Sequence, residues 1–232
     1  FDSMYSEMPK IPAPTAYRDQ DSLSMDQRGE RYAALLEKEI LKQDPETVLA
    51  FLAEPVGGAS TGALVAPESY YPEVREICNR HGVLFIADEV LCGSGRTGEY
   101  LALTHWGVQA DIVALAKGLA AGYSPLGAVV AKEELVEAVL DAGGFMHGYT
   151  YAGNPLDCAA GKAVLEVMLE ENLMERAKEQ GATLRAGLEE LQQQFEFIGD
   201  VRGKGLLNAF ELVANRETCL LYTSDAADDV HR

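Results

Sequence analysis

Short apolar stretches alternate along this chain with longer segments of helical periodicity. A run such as Gly82-Val83-Leu84-Phe85-Ile86-Ala87 is apolar on both faces and predicts a buried strand. A segment such as Glu30 to Lys42 repeats its apolar residues at helical spacing. Buried strands that alternate with helices are typical of an α/β domain, in which helices cover a largely parallel sheet on two sides. In such sheets the loops at the strand ends carry the chemistry.

The pattern also predicts where the elements lie and how they group. Strands are predicted at 47–53, 83–87, 111–115 and 128–131, and helices at 30–42, 71–81, 133–140, 155–170 and 174–194. Turn and strand signals alternate from 195 to 210, which indicates the start of a smaller α+β unit. We therefore expect a partial large cofactor-binding domain over 1–155, followed over 156–218 by a linking helix and a partial small C-terminal domain. Residues 219–232 show neither a strand nor an amphipathic helix pattern, and we interpret them as a non-native tail.

Composition and charge narrow the classes of partner. The chain has 232 residues and a formal net charge of -18, which argues against a nucleic-acid or anionic-membrane surface. Its four cysteines have no CxxC spacing, so neither a disulfide framework nor a metal site is predicted. No apolar run approaches the roughly 18 residues of a membrane span. These features predict a cytoplasmic protein with a small-molecule substrate. The first residue, Phe1, is not an initiator methionine, and the sequence reads as an excerpt truncated at both ends.

Two ionisable residues follow apolar strands and need a chemical reason to be there. Lys117 closes an apolar, strand-like segment within the run 111–119, and Asp88 directly follows the run 82–87. An aldehyde cofactor with a basic ring nitrogen needs this pair: an amine that forms the imine, and a carboxylate that keeps the ring nitrogen protonated. The pair therefore points to pyridoxal 5'-phosphate.

Short motifs in a fixed order then give the chain a family resemblance. The motifs are Glu54-Pro55-Val56, Ala87-Asp88-Glu89-Val90, Gly95-Arg96-Thr97-Gly98, Ala116-Lys117-Gly118 and His147-Gly148-Tyr149-Thr150-Tyr151-Ala152-Gly153-Asn154-Pro155. Together they resemble the class III pyridoxal-phosphate aminotransferases over about residues 1–218. The resemblance implies the fold type I transferase architecture, and a homodimer whose active site lies at the subunit interface.

The resemblance also assigns a role to each candidate site residue. Lys117 would form the Schiff base with the cofactor and then act as the base that moves the substrate proton. Asp88 would pair with the pyridinium nitrogen, and Val90 would pack on the face of the ring. Thr150 would bind the cofactor phosphate across the dimer interface, with Tyr149 beside it.

Several positions have alternative interpretations or depart from the family pattern. Glu89 fits a structural salt bridge as well as catalysis, and the loop 95–98 fits a shaped loop near the active site rather than a nucleotide-binding loop. Leu91 stands where many family members have Gln, which puts a hydrogen bond to the cofactor's ring hydroxyl in doubt. Ala59 stands where the ornithine and 4-aminobutyrate branches have Glu. The combination resembles the ω-amine and β-amino-acid transaminase branches.

The expected function is transfer of an amino group from an amine or amino acid donor to a keto acid. An aminomutase, lyase or decarboxylase on the same fold is the first alternative, because these enzymes share the lysine, the aspartate and the phosphate ligands. The second is a non-catalytic remnant that packs against a partner subunit. The sequence lacks the family's phosphate cradle and its C-terminal carboxylate-binding arginine, so we expect activity from the full-length protein and, from this polypeptide alone, at best weak cofactor binding.

Overall fold

The computed structural model describes residues 8–221 and folds them around two separate sheets. The helices are α1 Met25–Lys42, α2 Tyr70–His81, α3 Glu133–Asp141, α4 Pro155–Glu170 and α5 Leu173–Gln194. The strands are β1 Ala50–Ala53, β2 Leu84–Asp88, β3 Ile112–Leu115, β4 Ala128–Ala131, β5 Ile198–Lys204, β6 Leu207–Asn215 and β7 Leu220–Leu221. Short 3-10 turns form at Ala16–Arg18, Pro45–Thr47, Ala102–Trp106 and Lys117–Ala120.

The first sheet has the order β1-β2-β3-β4, and its first three strands run parallel. β4 is antiparallel to β3, so the predicted largely parallel sheet has an antiparallel edge strand. Helices α1 and α2 cover one face through the core that contains Phe85 and Ala87. On the opposite face Leu52 and Val129 remain 59% and 74% exposed within the part of the chain that the structure describes.

Aromatic packing fixes α2 on the sheet. Tyr71 stacks on the fully buried ring of Phe85 at 6.1 Å between ring centroids, and it meets Trp106 edge-on at 4.9 Å. Full burial of a side chain the size of phenylalanine stabilises a fold by about 1.5–3 kcal/mol. Gly82 ends the helix in a left-handed conformation with φ 66°, as its position after the last helical residue predicted.

Asp111 ties three elements together at the amino-terminal end of β3. It accepts hydrogen bonds from Arg75 of α2 at 2.7 Å, from the backbone N–H of Phe85 at 2.7 Å, and from Lys132 after β4 at 2.6 Å. Burial opposes ionisation of this carboxyl, but the three donors outweigh it and hold the pKa of Asp111 below its usual range. The buried charge therefore sets how α2 and β4 lie against β2.

Two predicted boundaries are wrong. α1 begins at Met25 rather than at residue 30, because Ser24 and Gln27 form a reciprocal capping box ahead of the apolar periodicity. β1 begins at Ala50 rather than at residue 47. There the hydroxyl of Thr47 donates to the backbone oxygens of Gln43 and Asp44 and holds a turn.

The second sheet has the order β5-β6-β7 and packs beside α5. β5 and β6 form an antiparallel hairpin in the segment where turn and strand signals alternate, and β6 continues beyond that segment to Asn215. Leu220–Leu221 pair with the end of β6, a strand that the sequence did not predict. The rest of the proposed tail, 222–232, and residues 1–7 lie outside the described residues.

Candidate active site

The two residues that carry the sequence argument lie at the same edge of the first sheet. Asp88 is the last residue of β2 and pairs in register with Ala114 of β3. The backbone N–H of Glu89 donates to the Ala114 carbonyl at 2.9 Å, and Lys117 follows three residues later. Because β2 and β3 are parallel neighbours, their carboxyl ends bring Asp88 and Lys117 to one edge.

Lys117 has a strained backbone and an uncompensated charge. Its φ is 44°, in the left-handed region, which costs a residue with a side chain on the order of 1–2 kcal/mol. The side chain is exposed, and Nζ makes no ion pair or hydrogen bond with any residue that the structure describes. Strain of this kind persists where the surrounding structure fixes the backbone, and it concentrates at functional sites.

Lys117 also lines a cavity of about 1080 Å³. Its walls are mostly apolar and come from α4, α5 and the segments 91–96 and 117–123, with Arg96 and Tyr123 among the polar contributors. Asp88 and Val90 do not belong to the lining of this cavity. The register instead places Asp88 on the sheet face that carries Leu52, which is the face left open by α1 and α2.

Asp88 keeps part of its carboxylate available. One oxygen, Oδ1, accepts the backbone N–H of Val90 at 3.1 Å, which is the strand-end turn contact that an aspartate makes in many loops. The second oxygen has no hydrogen-bond partner within residues 8–221. Val90 is half-buried beside it. The local turn therefore orients Asp88 without consuming its capacity to accept another hydrogen bond.

Glu89 has a structural role. It is 1% exposed and makes no ion pair within the described chain, so backbone donors take the place of the cation that a salt bridge would have supplied. Its two oxygens accept the backbone N–H groups of Ala102 and Leu103, each at 2.9 Å, and Cys92 Sγ lies 3.2 Å away. Burial raises the pKa of Glu89, although these donors oppose the rise. Glu89 thus closes the loop from β2 to the turn at 102–106.

The segment 93–98 lies directly beside Lys117. A Cβ atom on Gly118 would lie only 2.9 Å from the Cβ of Ser94, so the backbone next to Lys117 and this loop are in close contact. Ser94 also has a left-handed φ, of 52°. Its hydroxyl is buried and has no partner among the described residues. Further along the loop, Thr97 is fully buried, whereas Arg96 is exposed.

Thr150 and Tyr149 are exposed and make no hydrogen bond with Asp88 or Lys117 within the described chain. They lie in the exposed connection between α3 and α4, where Tyr149 is 77% exposed and meets the ring of His147 edge-on at 5.1 Å. Thr150 is also exposed and makes no side-chain hydrogen bond within the described chain. Their predicted role across a dimer interface stays a prediction.

The two positions that depart from the family pattern differ in location. Leu91 lines the Lys117 cavity, so an apolar side chain lies where a glutamine would present an amide. Ala59 is exposed. Nearby, Glu54 Oε2 accepts the N–H of Gly58 at 2.8 Å and stabilises the glycine-rich loop after β1.

The chemistry of the donor set fits pyridoxal phosphate. Within residues 8–221, Lys117 supplies an amine without a competing ion pair and Asp88 supplies a carboxylate oxygen without a competing donor, at the same sheet edge. These are the two groups that an aldehyde on a pyridine ring requires. Sequence reasoning did not identify Ser94 or the contact of Ser94 with Gly118, because no periodicity or motif marks a left-handed serine.

Comparisons with known proteins agree with this arrangement. The family profile described as aminotransferase class-III matches residues 1–228. Putrescine–pyruvate aminotransferase of Pseudomonas aeruginosa is 41% identical over 209 residues, which are 90% of this chain and 45% of that protein. An (S)-enantioselective omega-transaminase from Thermomicrobium roseum superposes with a TM-score of 0.88 at 37% identity, over 94% of this chain and 50% of that chain.

A second similar structure is a complex with a ligand. The omega transaminase from Pseudomonas jessenii, in complex with PMP, superposes with a TM-score of 0.87 at 35% identity, over 92% of this chain and 48% of that chain. The chain thus spans about half the length of these relatives. The described helices include none that is long and apolar enough to cross a membrane.

Proposed function

The chain belongs to the class-III aminotransferase family, which uses pyridoxal phosphate, and from this premise we propose that the full-length protein transfers an amino group from an amine or amino acid to a keto acid. The observation that carries the proposal is the shared sheet edge of Asp88 and Lys117, with each group free of a competing partner in the described chain. The omega transaminases among the structural neighbours support an amine donor.

Each site residue then has a defined task. When bound, pyridoxal phosphate supplies an electron sink for the pair left by a departing substrate proton. Lys117 would hold the cofactor through Nζ, and the same nitrogen would take up and return the substrate proton. Asp88 would accept a hydrogen bond from the protonated ring nitrogen, and Val90 would pack against the ring. Thr150, with Tyr149 beside it, would bind the phosphate across the dimer interface.

The proposal includes an assembly, a location and a division of the chain. A homodimer would account for the exposure of Thr150 and Tyr149 in this chain. The acidic composition and the cysteine pattern support a cytoplasmic location. The two separate sheets support a partial cofactor-binding domain at 1–155 and a partial small domain that begins with the linking helix at 156. We keep 219–232 as a non-native tail in this division.

Replacement of Lys117 tests the function. In the full-length protein, Lys117→Ala should abolish the visible absorbance of bound pyridoxal phosphate, the borohydride-reducible adduct and amino transfer, because no other amine takes its place. The matched control is Lys162→Ala, which removes a 75% exposed lysine from α4 and should leave all three readouts unchanged. Mass spectrometry of the reduced protein locates the adduct.

The outcomes separate the alternatives. An adduct on another lysine, or retained turnover in Lys117→Ala, would contradict the proposal. Release of ammonia or CO2 in place of an aminated keto acid would indicate a lyase or decarboxylase, and an isomerised amine an aminomutase. Absence of any adduct in the parent protein would favour a non-catalytic remnant.

A further inference from the structure

The turn of the β5–β6 hairpin, residues 204–206, is pressed between helix α5 and the segment 93–98. On one side, a Cβ atom on Gly181 of α5 would lie 2.2 Å from the carbonyl oxygen of Gly205. On the other side, a Cβ atom on Gly205 would lie 2.3 Å from the carbonyl carbon of Thr97. Separations below 3.0 Å leave no room for a methyl group, so three backbones meet here in direct contact.

Polar contacts hold the hairpin turn in this place. The backbone N–H of Leu206 donates to the carbonyl of Arg96 at 3.1 Å. Lys204 reaches over the ring of Trp106 at 5.3 Å and pairs with Glu68 at 3.2 Å. The hairpin turn is therefore bonded to the loop as well as packed against it.

The segment 93–98 contacts the hairpin turn at one end and the backbone next to Lys117 at the other. Three residues before Thr97, Ser94 packs against Gly118, the residue that follows Lys117. Both Ser94 and Lys117 have left-handed φ values, of 52° and 44°. Such conformations are kept only where neighbouring structure fixes them. The residues that the hairpin turn holds, Arg96 and Thr97, lie two and three positions after Ser94 in the same loop.

We propose that Gly181 and Gly205 are positioning residues, through which the small sheet fixes the loop 93–98 and thereby the backbone of Lys117. This inference rests on the proposed function of Lys117 and deepens it. The glycines do not touch the reacting groups, and they act by permitting the close approach of α5, the hairpin turn and the loop. Loss of that approach should release Ser94 and, with it, the strained turn at Lys117–Ala120.

A matched pair of glycine substitutions on one helix tests the proposal. In the full-length protein, Gly181→Ala should push the hairpin turn away from α5. Gly187→Ala, six residues further along the same helix, places its methyl group in open space. Both substitutions increase the helix propensity of α5 to the same extent. A difference in behaviour between the two variants therefore reports the contact of Gly181 with the hairpin turn.

The first readout is amide hydrogen exchange without cofactor. In Gly181→Ala, exchange should become at least about tenfold faster in the segment 93–98 and at the hydrogen-bonded amides of Leu119 and Ala121. The second readout is the absorbance spectrum of pyridoxal phosphate bound at Lys117, in which we expect a shifted maximum and a lower yield of the borohydride-reduced adduct. Gly187→Ala should match the parent in both.

A third variant keeps the proposal falsifiable if Gly181→Ala does not fold. Lys204→Gln removes the contacts of the hairpin turn with Trp106 and Glu68 at a partly exposed position, and it should change both readouts in the same direction by a smaller factor. Unchanged exchange at 93–98 in Lys204→Gln would then overturn the proposal.

The readouts also separate this inference from the function on which it rests. Suppose that exchange in Gly181→Ala is faster at 93–98 but unchanged at Leu119 and Ala121. The proposed link between this loop and the backbone of Lys117 is then wrong, whether or not the cofactor binds. In a second outcome, exchange becomes faster in Gly181→Ala both at 93–98 and at Leu119 and Ala121, while the parent protein forms no adduct at Lys117. That result would support the positioning role and contradict the transaminase function.

Discussion

Neighbouring residues at the end of β2 have opposite roles. Asp88 and Glu89 are both acidic and adjacent in sequence, but Glu89 is fully buried, whereas Asp88 lies on the open face of the sheet. Glu89 accepts the backbone N–H groups of Ala102 and Leu103, and Asp88 retains one oxygen that has no partner in the part of the chain that the structure describes. Burial and local donors thus decide which carboxylate is structural and which one remains available for chemistry.

Truncation of Glu89 should destabilise the fold. Glu89→Ala leaves the buried N–H groups of Ala102 and Leu103 without acceptors, and we expect a loss of about 3 kcal/mol in the free energy of unfolding. Glu89→Gln retains one amide oxygen as an acceptor and should cost less than half as much. Urea denaturation of the full-length variants measures both. Equal losses in the two variants would contradict the hydrogen-bond argument.

The same pair of variants has an expected pH dependence. Because burial raises the pKa of Glu89, the folded state holds its proton more readily than the unfolded state. Its contribution to stability is therefore fully present below the ordinary carboxyl pKa of about 4.3 and falls as the pH rises through the raised value. Glu89→Gln should remove this decrease from the curve of stability against pH.

Lys117 and Asp88 were predictable from sequence, and the role of Glu89 was not. A charged residue at the end of an apolar run needs no tertiary knowledge to be noticed. The donors to Glu89 come from residues 13 and 14 positions away, in a turn with no acceptor-specific signature. A salt bridge was one of two interpretations of Glu89, but backbone N–H groups satisfy its buried carboxylate instead of a cation.

Helix α1 illustrates how capping chemistry sets an element boundary. Ser24 Oγ accepts the N–H of Gln27 at 3.2 Å, and Gln27 Oε1 accepts the N–H of Ser24 at 3.0 Å. The helix gains more than a turn ahead of Glu30, where the apolar periodicity predicted its start. The sequence contains this capping signal as a Ser-x-x-Gln pattern. The first helical turn after it is polar, so the apolar periodicity did not reveal that the helix begins there.

Removal of the cap should weaken α1. Ser24→Ala deletes the acceptor for the Gln27 N–H, and we expect a cost of about 1 kcal/mol. The control is Ser22→Ala, an exposed serine two residues earlier that makes no side-chain hydrogen bond in the described chain. A shift in the urea midpoint of Ser24→Ala no larger than that of Ser22→Ala would show that the capping box is not formed.

An arginine of β5 ties the second sheet to the loop after β1. Arg202 donates to the carbonyls of Gly62 and Thr61 in the glycine-rich loop, at 2.8 and 3.0 Å. It also pairs with Asp200 and Glu211, each at 2.9 Å. The planar guanidinium reaches all four partners at once, a geometry that lysine does not offer. The loop after β1 is therefore anchored to the small sheet.

Replacement of Arg202 should loosen this junction. Arg202→Met keeps the apolar bulk but leaves the buried Glu211 with Arg18 as its remaining described cation, and we expect a cost on the order of 3 kcal/mol. The control Arg80→Met removes a 55% exposed arginine from a surface pair and should cost less than about 0.5 kcal/mol. Urea denaturation of the full-length variants compares the two.

Acid sensitivity provides an independent check on Arg202. Burial acts to raise the pKa of Glu211, but hydrogen bonds from Arg18 and Arg202 outweigh it and hold the pKa below its usual range. The resulting stability is present above the ordinary glutamate pKa of about 4.3 and is lost as the pH falls through the lowered value. Arg202→Met should flatten this acid-side loss, and an unchanged slope would contradict the assignment.

The sequence by itself determined the strands of the first sheet, the helices between them and the shared edge of Asp88 and Lys117. These features follow from local apolar runs and from the rule that parallel strands end together. Only the tertiary structure decided that β4 is antiparallel, that the hairpin turn presses on Thr97, and that Arg202 reaches the carbonyl of Gly62 across 140 positions. Contacts between distant backbones depend on how whole elements approach each other in space, and no local pattern of side chains encodes that approach.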